Sequence, residues 1–157
     1  MTVGRALLLN AAILAAAPAT AAPATAAPID DAAAQAVIAG CAAHATAKRQ
    51  SHAIAIVDPG GHTVAALRMD GNVYDVIEFA RAKAGAVAAW GSPTSGLASG
   101  AERVPGFAAA PHVVTVPGGL PIWSADGSEH IGAVGVSGEA PADDVACAAA
   151  GIAAAGL

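Results

Sequence analysis

Two apolar runs, HAIAIVD (residues 52–58) and HTVAALRM (62–69), meet at Pro59-Gly60-Gly61. No other feature limits the fold so tightly. Proline is excluded from the interior of central strands, and glycine takes the positive φ of a tight reversal at little cost. The two runs therefore double back on each other as an antiparallel hairpin. A lone hairpin is barely stable in water, so this one needs further strands or helices against it.

The rest of the chain supplies them. Between Asp30 and Lys48, Val37, Ile38, Cys41, Ala42 and Ala45 recur at three- and four-residue steps, which predicts an amphipathic helix. Acidic Asp30-Asp31 at its start and basic Lys48-Arg49 at its end suit the helix dipole. A second long helix is expected over Tyr74–Trp90, with Val73, Val76, Ile77, Ala80, Ala84 and Val87 on one face and Gly91 and Pro93 as its stop. Residues 94–98 suit a short helix and 103–111 a loop. HVVTV (112–116), GLPIW (119–123) and HIGAVGVS (130–137) read as three more strands, separated by Pro117-Gly118 and Ala125-Asp126-Gly127-Ser128. Pro141 followed by Asp143-Asp144 opens a terminal helix. The expected fold is α+β: a five-stranded antiparallel sheet flanked by helices, in the order α-β-β-α-β-β-β-α.

Residues 1–26 have the three parts of a secretory signal: Arg5, an apolar stretch from Ala6 to about Ala17, and small residues at Ala19-Thr20-Ala21 and Ala24-Thr25-Ala26. Its apolar core is too short to span a bilayer, so no stable membrane insertion is expected after cleavage. Residues 27–157 then form one exported domain, periplasmic or extracellular. Six of the seven Lys and Arg and all 12 acids lie in it, a net charge of −6. An acidic domain without basic runs is no partner for nucleic acid. Cys41 and Cys147 form no CxxC pair. After export they can join the two ends by a disulfide, or sit as two small buried apolar residues. Aromatics make up 3% of the chain, so side-chain packing must be fine-grained and subunit association is expected to add burial.

Several blocks, IVDPGGHTVAALRMDG (56–71), ARAKAGAVAAWGSPT (80–94), PGGLPIW (117–123) and HIGAVGVSG with the following DDVACAAAGIAA, together resemble the GlcG/HbpS-type family of haem-binding and haem-degrading domains. The resemblance covers most of the chain after Ala32. It implies an antiparallel sheet flanked by helices, homo-oligomers, and in some members haem as a bound group that is slowly degraded. Here the segment from Pro93 to Gly118 is compact, and Trp90 stands where a Phe is more usual.

Arg68 and Asp70 bracket the end of a strand. A guanidinium beside apolar surface clamps a carboxylate with two parallel bonds, and haem propionates are carboxylates. The structural alternative is an ion pair of Arg68 with Asp70 or Asp75. Lys83 interrupts an apolar helical stripe; it either snorkels to solvent or meets an acidic ligand, and it matches a helix lysine of the family. His62 in the hairpin turn and His112 before a strand are within reach of one cleft, and imidazole is a common haem ligand. No HxH, HxxH or HExxH pair supports a zinc site, and no GxSxG supports a serine hydrolase. Gly118 and Gly119 allow a ligand close to the backbone, and a tight connection needs them equally. The functional expectation is an exported haem-binding protein. Its rivals are a binding domain for another small acidic metabolite, without iron, and a structural module.

Overall fold

The computed structural model describes residues 27–157; the proposed signal sequence lies outside them. The chain runs α1 (Asp31–Lys48), β1 (Ala53–Val57), β2 (Thr63–Arg68), α2 (Val76–Trp90), α3 (Thr94–Arg103), a 3₁₀ turn (Phe107–Ala109), β3 (Gly119–Trp123), β4 (His130–Ser137) and α4 (Pro141–Ala154). The fold is α+β with an antiparallel sheet of four strands in the order β2-β1-β4-β3.

The hairpin forms as the Pro-Gly-Gly turn requires. Ala53 faces Arg68, Ile54 faces Leu67 and Ala55 faces Ala66, with a bulge at Ile56/Val57 and Gly61 at φ +82°. The fifth strand, HVVTV, is absent. His112 takes a left-handed φ of 59°, the Val113 N–H returns to the Ala110 carbonyl, and β3 is itself the edge of the sheet. A β-branched composition makes no strand when there is no neighbouring ladder to join. The short helix expected near 94–98 instead continues to Arg103.

Strand alternation gives the sheet two different faces. Ile54, Ile56, Val134, Val136 and Ile122 project toward α1 and α4 and form the main core with Val37, Ile38 and Ala148. The opposite face is built of small residues: Ala53, Ala55, Ala133, Gly119 and Gly135. There α2 lies so close that a Cβ at Gly135 would come 2.0 Å from the Ala80 carbonyl oxygen. α1 and α4 also meet through small residues, since a Cβ at Gly151 would come 2.5 Å from the Val37 carbonyl oxygen. Cys41 of α1 and Cys147 of α4 are joined by a disulfide across this contact. The result is three layers, α1/α4, sheet and α2.

Candidate functional site

The charged residues fall into an inner and an outer set. The inner set centres on Lys83, which lies on the sheet-facing side of α2 and is fully buried. Its Nζ donates to Asp144 Oδ2 and to the Val136 carbonyl, each at 2.8 Å, and sits 5.0 Å from the centre of the Phe79 ring. The other carboxylate oxygen, Asp144 Oδ1, meets His52 Nδ1 at 3.1 Å and accepts from the Glu139 N–H at 3.3 Å. Lys83, Asp144 and His52 thus join α2, α4 and the start of β1 in one internal network. Lys83 neither snorkels nor faces a ligand, because its ammonium is satisfied inside.

Gly118 and Gly119 belong to the same interior. A Cβ at Gly118 would come 2.7 Å from Lys83 Nζ, and its φ of +129° excludes most other residues. Gly119 packs under α2 and its N–H donates to Thr94 Oγ1 at 3.0 Å. Both glycines accommodate this packing rather than a guest.

The outer set is Arg68 and Asp70 at the end of β2. Arg68 is exposed, and its Nη1 donates to the Asn72 carbonyl. Asn72 Nδ2 donates to Ser51 Oγ, which donates to the Asp70 carbonyl, each at 2.7 Å. Among the described residues Arg68 has no carboxylate partner, so neither Asp70 nor Asp75 closes the ion pair weighed above. Arg68 and Asp70 line a groove of about 360 Å³ with Leu67, Met69, Ala42 and Gln50. A second shallow groove, about 410 Å³, runs along the start of α2 between Asp75, Val76, Phe79 and Ala82. Val73 and Tyr74, both well exposed, lie in the segment leading from Asn72 into it.

The histidines lie elsewhere. His62 is exposed and bonded to Asp58, its Nδ1 3.1 Å from Oδ2. The His62 N–H first, and this ring contact after it, hold the Asp58 carboxyl below its ordinary range. His112 does approach the hairpin: with Gly60, Gly61, Ala88 and Ala89 it lines a small pocket of about 200 Å³. This pocket is at the opposite end of β2 from Arg68, about 20 Å along an extended strand. Arg68 with Asp70 and His112 with the hairpin glycines therefore form two separate places.

A haem-sized ligand needs an apolar wall, a cation for its carboxylates and an iron ligand. The Arg68 groove offers the first in Leu67 and Met69, and Arg68 at its margin is the cation closest to the second. No histidine lines it, and Met69 is the one side chain on its wall of a type that ligates haem iron.

Residues 29–153 match the family model described as haem degrading protein HbpS-like. The chain belongs to this HbpS-like family. Among solved structures, Streptomyces reticuli HbpS, as a double mutant, is 27% identical over 88% of this chain and 97% of that one, with a TM-score of 0.75. A PduOC–haem complex is 25% identical over 81% of this chain and 94% of that one, at 0.74. Klebsiella pneumoniae protein ORFY, 24% identical over 87% and 97%, shares the fold at 0.77. No curated protein sequence matches this HbpS-like chain.

The sequence reading missed Asp144 and His52. Asp144 looked like an ordinary first-turn acid of a helix, and its partner Lys83 is 61 residues earlier. Phe79 and Tyr74 were also passed over, although exposed aromatics are scarce enough here to be a signal.

Proposed function

We propose that this chain is an exported haem-binding protein that rests the tetrapyrrole on the apolar surface at the end of β2 and holds its carboxylates on Arg68. The observation that carries the reading is that exposed Arg68, without a carboxylate partner among the described residues, lines one groove with Leu67 and Met69. Membership of the HbpS-like family and the likeness to a PduOC–haem complex support haem over other acids. The signal-like residues 1–26 and the Cys41–Cys147 disulfide support export, since disulfides persist in oxidising compartments.

The iron supplies whatever redox chemistry follows haem binding. The protein's own part is to bind and orient. Asn72 and Ser51 fix the turn that carries Arg68, and Leu67 and Met69 keep water from one side of the ring. Lys83 contributes to this only by holding α2 to α4.

Hemin titrated into residues 27–157 is expected to give a stoichiometric Soret shift. Loss of a charge-assisted bond costs about 1.5–3 kcal/mol, so Arg68→Ala should weaken affinity about 10- to 100-fold. Absence of a Soret shift, or an unchanged affinity in Arg68→Ala, overturns the reading. A thermal shift with organic acids but none with hemin would point to an iron-free acidic metabolite instead.

A further inference from the structure

Proteins hold haem iron with a short set of side chains: His, Cys, Met and Tyr. This chain carries five histidines, two cysteines, two methionines and one tyrosine, and all but Met1 are among the described residues.

None of the five histidines lines the groove of Arg68. His52 is fully buried on Asp144. His62 and His112 stand at the hairpin end of β2, about 20 Å along the strand from Arg68. His44 and His130 keep their Nε2 atoms buried, and the His130 ring packs on Trp123 of β3. Cys41 and Cys147 are taken up by their disulfide. Tyr74 is exposed between β2 and α2 and does not line this groove. Met69 does line it, but its side chain is half-buried and packs against the core between the sheet and α1. A thioether held there serves as a hydrophobe. Gln50, Ser51 and Asp70 add oxygens of kinds outside the set, and Ser51 Oγ is already bonded to Asn72 and to the Asp70 carbonyl.

The groove thus suits a flat apolar ring with an acidic edge, and its donors do not suit iron. Strand alternation keeps the two parts distinct. Leu67 and Met69 project to one face of β2 and Arg68 to the other, so the cation stands at the rim of the apolar wall.

We propose, on the footing of the haem-binding reading above, that the groove recognises the porphyrin ring and its acidic edge and not the metal. Its ligand class is then a planar tetrapyrrole with a free carboxylate, whatever occupies the centre. The iron of bound haem receives no side chain from this protein and stays open to water or to a donor brought by another molecule.

Hemin and metal-free protoporphyrin IX, titrated separately into residues 27–157, test this, the first by absorbance and the second by its own fluorescence. Their Kd values are expected to agree within about threefold, and Arg68→Ala should weaken both by the same factor. Bound ferric hemin should be high-spin in electron paramagnetic resonance. Met69→Leu, which conserves volume, and Tyr74→Phe should leave its spectrum and affinity unchanged. Metal-free porphyrin binding about tenfold or more weakly than hemin overturns the proposal. So does a low-spin ferric signal in the unaltered chain, or a loss of hemin affinity in Met69→Leu or Tyr74→Phe. Haem binding itself stands in each of those cases. If neither porphyrin binds, or if Arg68→Ala leaves hemin affinity unchanged, haem binding on Arg68 and metal independence fall together.

Discussion

Lys83, Asp144 and His52 show how much can depend on one buried carboxylate. Two charged groups leave water here, and their attraction offsets that cost only while every partner is present. Lys83→Met strands Asp144 with a single imidazole, so a loss of about 3–5 kcal/mol is expected in urea unfolding at neutral pH. The double variant Lys83→Met/Asp144→Leu should lose less than the sum of the two single changes, since neither charge is then left alone. That Lys83 was unusual could be read from its place in an apolar stripe. Which way it turned could not, because the answer rests on a helix far along the chain. Arg68 was more legible, since strand alternation and the nearby turn placed it without distant information. His130 gives a second test at this scale. Its half-buried ring packs on Trp123 at 5.4 Å, and burial lowers its pKa below 6.5, against a smaller raising effect from the Gly132 backbone. The unfolded chain then takes up the proton first, so stability falls as pH drops through 6.5 toward the folded value and is retained above it. The melting temperature should decline over that acid range, and His130→Asn should flatten the decline.

Among the elements, α2 is the one whose position is set by what its neighbours lack. Gly135 of β4 lets the Ala80–Ala84 turn rest directly on the sheet, and Ala53 and Ala55 extend the same flat surface. Gly135→Ala therefore pushes the helix away, and overpacking of this kind costs about 1–3 kcal/mol or somewhat more. Gly85 is the matched control. A Cβ there meets nothing within 4 Å, so Gly85→Ala should gain about 0.5–1 kcal/mol from helix propensity. If both changes shift the urea midpoint alike, the close contact is not what seats α2. The β3–β4 connection offers a cleaner electrostatic reading. Asp126 Oδ1 accepts from the Ser124 and Ser128 hydroxyls and from the Ser128 N–H, and these bonds lower its pKa to about 2. NMR titration should find that midpoint, and Ser124→Ala should move it upward. This turn was readable as Asp126-Gly127, while HVVTV misled. Turn chemistry is local and shows in a few residues; a strand exists only if another strand lies beside it. For residues 112–116 the sheet had already ended at β3.

At the level of the whole molecule, the chain has few large side chains with which to hold its ends. The aromatic content is 3%, and α1 meets α4 through Gly40, Gly151 and alanines. A contact of this kind removes little apolar area per residue from water, and hydrophobic stabilisation scales with that area. The disulfide from Cys41 to Cys147 acts at this contact and spans 106 residues of sequence. Loop closure on that scale removes about 4.7 kcal/mol of entropy from the unfolded chain, a large share of a domain stability of about 5–15 kcal/mol. The sequence offered this bond as one of two alternatives and could not decide between them, because the pairing depends on α1 and α4 being neighbours at opposite ends of the chain. Reduction, or Cys41→Ala with Cys147→Ala, should lower the stability of residues 27–157 by about 4–5 kcal/mol in urea. The m-value should rise as well, because an uncrosslinked chain exposes more surface when it unfolds. An unchanged midpoint in reductant would mean that the α1–α4 contact holds without the bond. A lowered midpoint would make the folded state conditional on an oxidising compartment, and the chain should then accumulate as folded protein only where that bond can form.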